Sequence, residues 1–305
     1  MRRIWTIPAF GLTLAAVLLI LAFRLLNVPE ENSAEQTAVQ MPPAAEETVL
    51  PETPTPEPTP GESEIRYVSY DTVDIRTGEK VTKQMAVYLP AGYEEDGAYN
   101  ALFLLHVAGC DASFWPNLGV QALFDRVIGS GACEPLVVFM PDGYIRPEAR
   151  GEHNSDRDYP QFAAEFRDDL IPFVKANFAL YEEREHYGVL GASFGAYMTV
   201  NSVLIPNLDL ASWFGYVGGG TIDANRLRRG WEEAETEELP ISHFYLGEGE
   251  YDDIGPVQIS YQTLLAGCDK LDESNLTLSI IADAGHDKTE WLTGIEEALR
   301  IFYKE

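Results

Sequence analysis

The stretch "EHYGVLGASFGAYMTVNS", residues 185–202, decides the fold. It passes from a continuously apolar segment, through Gly191-Ala192-Ser193-Phe194-Gly195, into a segment with helix-period apolar spacing. "HYGVL" reads as a strand covered on both faces, because a strand with one wet face alternates and this one does not. "AYMTVNSVL" reads as the helix that follows it. A serine on so sharp a strand-to-helix turn needs small neighbours, since larger side chains there would collide with the adjoining strand and helix. Gly191 and Gly195 fill those positions. The Gly-x-Ser-x-Gly pattern recurs by chance in long chains, so the surrounding sequence has to separate a nucleophile from a small residue in a crowded bend.

The surroundings continue the same alternation. "IRYVSYDTVD" and "KQMAVYLP" alternate as antiparallel strands do, whereas "ALFLLHV", "PLVVFMP" and "FGYVGG" are apolar throughout. Between them "GVQALFDRVIGSG" and "YPQFAAEFRDDLIPFVKANF" carry helical spacing. Beyond Ser193 come "ISHFYLGEG", "VQISYQTLLAGCDKL", "LTLSIIADAG" and "TEWLTGIEEALRIFYKE". An antiparallel start followed by strand–helix alternation predicts a single α/β domain with a mostly parallel central sheet and helices on both faces. Residues 65–305, about 240 in number, suit one such domain, and no second linker interrupts them.

The first 64 residues read differently. Arg2 and Arg3 precede a mostly apolar, uncharged run from Ile4 to Phe23, long enough to cross a bilayer as a helix. Basic residues in front hold that end in the cytoplasm. We therefore expect residues 1–27 to be a transmembrane anchor with the remainder outside the cytoplasm. A cleaved signal peptide is the competing reading, although "FRLLNVPEENSA" offers no good cleavage site. Either way the body of the protein is expected outside the cytoplasm, at the membrane or secreted. Residues 28–64, rich in Pro, Glu and Thr, cannot bury a core and are expected to form a disordered linker.

The formal net charge of -28, from 49 acidic and 21 basic residues, argues against a nucleic-acid or anionic-membrane partner. Any membrane contact is expected through the N-terminal helix alone. Cys110, Cys133 and Cys268 fit no metal spacing. Cys110 and Cys133 could pair in an oxidising compartment, but buried free thiols are the preferred reading.

A serine hydroxyl becomes a useful nucleophile only beside a positioned base, normally a histidine oriented by a carboxylate. On folds with this turn the order along the chain is Ser, then Asp or Glu, then His. Of the five histidines, only His286 follows both Ser193 and an acidic turn, and it sits directly after the last strand. The turn in "HFYLGEGEYDD" supplies the acid. Asp252 is the choice, with Asp253 and Glu250 as alternatives. Phe194, next to the serine, and the small residues after the strand that ends at His106, Val107 and Ala108 in particular, would offer backbone N–H groups to an oxyanion. His106 itself is expected to be structural. Trp115, Tyr144 and Trp213 are candidates to line an acyl or sugar site, although most tryptophans pack in cores.

The runs "VYLPAGYEEDGAYNALFLLHVAGCDASFW", "VVFMPDG", "FRDDLIPFVKANF", "YGVLGASFGAYMTV", "FYLGEGEYDD" and "AGHDKTEW" resemble, in collinear order, the esterase D-like putative esterases. That group includes the feruloyl and acetyl xylan esterases of carbohydrate esterase family one and the enterochelin esterases. The resemblance implies an α/β-hydrolase fold, with Ser193 as nucleophile, His286 as base and Asp252 as acid, the last in the place of the Asp of a Gly-x-x-Asp turn. It departs from the family at Val107 and Ala108, where glycines are common, and at Ala196, which replaces a second glycine. A serine carboxylic-ester hydrolase acting on acyl esters of carbohydrates, or on small esters, is the expected activity, with no metal or organic cofactor. A surface binding protein on an inactive hydrolase fold is the alternative, and a peptidase is disfavoured because no propeller or lid domain is visible. Oligomeric state is not legible.

Overall fold

The computed structural model describes residues 61–151 and 154–304. The anchor expected over 1–27, and the linker expected over 28–64 except for its last four residues, lie outside them. No helix among the described residues is long and apolar enough to cross a membrane.

Alternating side chains and β-branched residues give the first hairpin. Strand β1 (Glu64–Val73) pairs antiparallel with β2 (Lys80–Leu89), and β2 pairs antiparallel with β4 (Leu136–Pro141). The remaining strands are parallel: β3 (Asn100–Leu105), β5 (Tyr187–Ala192), β6 (Trp213–Val217), β7 (His243–Gly249) and β8 (Leu276–Ile281). The eight strands run in the order β1-β2-β4-β3-β5-β6-β7-β8. Strands β3, β4, β5 and β7 are buried at every position, as the apolar runs at their centres required, with Asn100, His243 and Glu248 buried among them.

Helices cover both faces. On one lie α1 (Phe114–Asn117), α2 (Val120–Gly129) and, at the end of the chain, α8 (Lys288–Leu299). Trp115, Phe124, Val127, Ile295 and Leu299 pack there on Leu104, Val138 and Leu190. On the other face lie α3 (Ser155–Glu165) and α4 (Ile171–Asn177), together with α5 (Phe194–Met198), α6 (Ala224–Glu233) and α7 (Val257–Gly267). There Phe162, Phe166, Val203, Trp231 and Leu264 pack on Phe103, Val189, Phe214 and Phe244. Helix α6 has no counterpart in the sequence reading. Its three arginines mask an apolar stripe reduced to Ala224, Leu227 and Trp231, which tertiary burial stabilises.

This topology sets the place of the site. The parallel strands all end at one edge of the sheet, so the loops after β3, β5, β6, β7 and β8 gather there, where the switch in strand order opens a crevice.

Candidate active site

Ser193 occupies the turn between β5 and α5 with φ 54° and ψ -118°. A non-glycine residue in such backbone stores about 1–3 kcal/mol of strain, which the surroundings must hold. The Ser193 N–H donates to the Val217 carbonyl at 2.9 Å, and the Ser193 carbonyl accepts from Ala196 and Tyr197 at 3.0 and 3.2 Å. The flanking glycines are required by contact. A Cβ on Gly191 would lie 2.0 Å from the Gly195 oxygen, and one on Gly195 would lie 2.3 Å from the Leu105 oxygen. The turn is therefore wedged by backbone on both sides, and Ser193 is left half-buried at its tip.

The loops after β7 and β8 bring the other candidates to it. His286 Nε2 stands 2.9 Å from Ser193 Oγ, and His286 Nδ1 stands 3.1 Å from Asp252 Oδ2. The two loops are tied together: Tyr251 N–H donates to the Ala284 carbonyl at 2.8 Å, and a Cβ on Gly249 would meet that same carbonyl at 2.6 Å. Asp252 Oδ1 accepts from the Ile254 N–H at 2.8 Å, so the carboxylate is fixed in rotation with Oδ2 toward the imidazole. Of the alternatives, Glu250 accepts from the Asp283 N–H at 3.1 Å and Asp253 is exposed, so neither reaches the ring. His286 keeps 22 % of its side chain accessible, whereas that of Asp252 is fully buried.

A second carboxyl group shares this corner. Glu290, on the first turn of α8 and four residues after His286, is fully buried with Oε2 3.5 Å from His286 Nδ1. Together Glu290 and Asp252 raise the His286 pKa to about 8, against the opposing effect of burial. Glu290 exerts the larger pull on the proton, but the shorter, hydrogen-bonding distance belongs to Asp252. Distance decides which group orients the ring, because a hydrogen bond weakens steeply beyond its normal length. Burial raises the pKa of Glu290 itself. Asp252 is lowered although burial opposes it, because the Glu290 carboxyl, the Ile254 N–H and His286 all favour its charged form. With Asp252 ionised, Nδ1 carries the ring proton and Nε2 presents its lone pair to the serine hydroxyl.

On the other side of Ser193 lies the loop after β3. His106 donates from Nδ1 to the Val107 carbonyl at 2.8 Å and accepts at Nε2 from the Gly143 N–H at 2.8 Å, which holds the ring in a structural place. The Gly109 N–H donates to Tyr144 Oη at 3.2 Å. Val107 packs into the core beneath α1 and α2, while Ala108 is exposed beside it. The Tyr144 ring stacks on Phe194 at 4.8 Å and 8°. A stacked ring and a hydroxyl thus tie the residue after the serine to this loop.

Residues 77–216 match the family model described as "Putative esterase". The chain is 31% identical over 150 residues to endo-1,4-beta-xylanase Y of Acetivibrio thermocellus, a match that covers 45% of this chain and 13% of that relative. Among solved structures it is similar to a mutant of the feruloyl esterase module from Clostridium thermocellum complexed with sinapinate. That match has a TM-score of 0.66 at 23% identity, over 90% of this chain and 97% of the other. It is also similar to a CE1 ferulic acid esterase from Anaeromyces mucronatus in complex with ferulic acid (TM-score 0.63, 18% identity, 79% of this chain and 91% of the other). The S-formylglutathione hydrolase of Staphylococcus aureus matches at a TM-score of 0.57 and 15% identity, over 80% of this chain and 98% of the other. At these identities the structural likeness is one of fold, and it places the described sheet and helices in the esterase hydrolase fold.

Within this fold two of the three aromatic expectations, Trp213 and Trp115, need correction. Trp213 begins β6 opposite Gly188, whereas Ser193 follows the far end of β5. Its indole donates to the Glu185 carbonyl and packs on Phe302 and Tyr303, so it stands at the opposite edge of the sheet and does not line this site. Trp115 is 1% exposed and edge-on to Phe114, a core residue without surface to offer a substrate. Tyr144 lies at the right edge of the sheet, where its ring is buried by the stack on Phe194 and borders a cavity of about 290 Å³ with Asp111 and Arg150, so it braces the loop beside open space. The fold drew Trp115 and Tyr144 inward because large rings gain most from full burial, while Trp213 stays partly exposed at the far edge of the sheet.

The side chains that do flank the site came from elsewhere. Trp291 meets the His286 ring edge-on at 5.5 Å and Phe114 at 5.9 Å. Beside them a cavity of about 390 Å³ is bordered by Cys110, Phe114, Asn117 and Leu118. Across the site, Tyr159 stacks toward Phe194 at 6.4 Å and borders a cleft of about 590 Å³ that also reaches Asn201 and Arg226. Glu290 was legible in principle, since the position four after a residue at a helix start returns to its side, whereas no such spacing marks Trp291. Cys110, Cys133 and Cys268 are free thiols, the last two buried.

Proposed function

We propose that this chain is a serine carboxylic-ester hydrolase that acts outside the cytoplasm on acyl esters of carbohydrates, of the acetyl or feruloyl type, or on small esters. The observation that carries the reading is the unbroken relay Asp252–His286–Ser193 at 3.1 and 2.9 Å on a strained turn. The esterase-family match, and a fold shared with feruloyl esterases, support it.

His286 Nε2 takes the proton of Ser193 as Oγ attacks the acyl carbonyl, and Asp252 stabilises the imidazolium that forms. The tetrahedral oxyanion is received by the Phe194 N–H and by an N–H of Val107 or Ala108, because the Gly109 N–H is already given to Tyr144. His286 then returns its proton to the departing alcohol, and water repeats the sequence on the acyl-enzyme. Aromatic or acetyl groups fit the apolar flank of Phe114 and Trp291, with the carbohydrate portion toward solvent. No metal or organic cofactor enters the mechanism. Residues 1–27 would hold the domain at the outer face of the membrane.

The test is turnover of acetylated xylan, a feruloylated oligosaccharide and 4-nitrophenyl acetate by wild type and Ser193→Ala. Wild type should turn over at least one and be labelled at Ser193 by a fluorophosphonate, and the variant should lose about 10⁴-fold or more in kcat. Absence of both turnover and label would instead favour a surface binding protein on this fold.

A further inference from the structure

Glu290 plays no part in the relay just described, yet it is among the best-buried carboxyl groups in the molecule, with no accessible surface. Its Oε1 accepts from the Gly249 N–H at 2.7 Å. Its Oε2 is buried without a hydrogen bond of normal geometry among the described residues. Oxygens of Glu290 and Asp252 and a ring nitrogen of His286 all lie within 4.8 Å of one another. Room for the second carboxyl is made by Gly218, in left-handed backbone at φ 59°, where a Cβ would stand 2.5 Å from Glu290 Oε2.

Two carboxylates beside one neutral imidazole cannot both stay charged in a buried corner. The proton goes to the group with fewer donors. Asp252 accepts from the Ile254 N–H and faces Nδ1, whereas Glu290 has the Gly249 N–H alone. Burial raises Glu290 in the same sense. A protonated Oε2 can then donate to the neighbouring Asp252 carboxylate, which satisfies the otherwise orphaned oxygen and steadies the carboxylate that orients His286.

We propose that Glu290 is a positioning residue of the site: a neutral acid that donates its proton to the Asp252 carboxylate and, when Asp252 is absent, ionises to hold His286 in its place. The second role needs little movement, since Oε2 is already 3.5 Å from Nδ1. This rests on the hydrolase reading of the same site, and the test below distinguishes the failure of one from the failure of the other.

The full chain is compared as wild type, Glu290→Gln, Glu290→Ala, Asp252→Ala and the Asp252→Ala/Glu290→Gln double variant. The measurements are kcat/KM on 4-nitrophenyl acetate and the downfield proton resonance of the His286 Nδ1–H, assigned by its loss in His286→Ala. Glutamine retains both a donor toward Asp252 and an acceptor for Gly249, so Glu290→Gln should stay within about threefold of wild type while Glu290→Ala falls about tenfold or more. Asp252→Ala should lose about 10²-fold, and the double variant about 10⁴-fold, since glutamine cannot ionise. If Asp252→Ala and the double variant are equally slow, or if Glu290→Gln is as slow as Glu290→Ala, the proposal is overturned. Should Glu290→Ala fail to fold, the glutamine and aspartate arms decide alone. If wild type neither turns over nor takes the fluorophosphonate, the hydrolase reading fails instead. The resonance then still tests Glu290: retained in Glu290→Gln and in Asp252→Ala but lost in the double variant, it upholds the proposal, and any other pattern overturns it.

Discussion

The two sides of Ser193 are built on different principles. The elbow is fixed by backbone against backbone: Gly191 and Gly195 each have carbonyl atoms within 2.3 Å of where a side chain would begin. The loop after β3 has no such crowding. Gly109, at φ 75°, has open space where its Cβ would be, and what holds the loop is a hydroxyl from Tyr144 and the imidazole of His106. A wedged turn tolerates no change of residue, whereas a loop braced by side chains tolerates many. That difference accounts for a chain that keeps both elbow glycines but carries Val107 and Ala108 where the esterases it resembles commonly have glycine.

The strongest way to break the comparison is Gly195→Ala. The added carbon must displace the Leu105 carbonyl, so we expect a loss of about 3 kcal/mol or more in stability and no measurable turnover, read by thermal unfolding and an ester assay. A soluble, active variant would show that the wedge is not what holds the serine. Next in size is the dependence on pH. His286 must be neutral to accept the serine proton, and its pKa is raised to about 8. Activity should therefore fall as pH drops through about 8, with kcat/KM decreasing about tenfold per unit below it. A plateau persisting to pH 6 would mean that the carboxyl pair does not act on the ring as described.

A smaller effect is expected at the braced loop. Tyr144→Phe keeps the stack on Phe194 but removes the acceptor for the Gly109 N–H. Freed from that bond, the loop should lose about tenfold in kcat with KM little changed. If kcat is unchanged, the loop needs no brace and the contrast with the elbow sharpens into rigid against free. Smallest of all is Trp213→Phe, at the opposite edge of the sheet. There we expect kcat/KM within about twofold of wild type, with about 1 kcal/mol lost from the bond to Glu185.

Much of the fold was legible because it rests on local pattern. Unbroken apolar runs marked the buried strands, alternation marked the first hairpin, and the glycines around Ser193 marked the turn. Helix α6 was missed because its apolar stripe is short and its burial is decided by what packs on Trp231. The candidate site was legible to the extent that order along the chain implies position in a parallel sheet. Ser193, Asp252 and His286 each follow a strand, and parallel strands end together.

The sequence by itself determined which strands are covered on both faces, that Ser193 sits on a turn too tight for neighbours with side chains, and that one histidine follows it at a strand end. Only the tertiary structure decided that Asp252 rather than Glu250 or Asp253 reaches the ring. Only it could show that Trp213 faces the wrong end of the sheet, that Trp115 and Tyr144 are buried, and that Glu290 shares the corner of Asp252 and His286. The reason is physical: periodicity records which face of an element is buried. Which oxygen comes within 3.1 Å of a nitrogen, by contrast, depends on loops from separate strands being packed together, and no spacing along the chain encodes that.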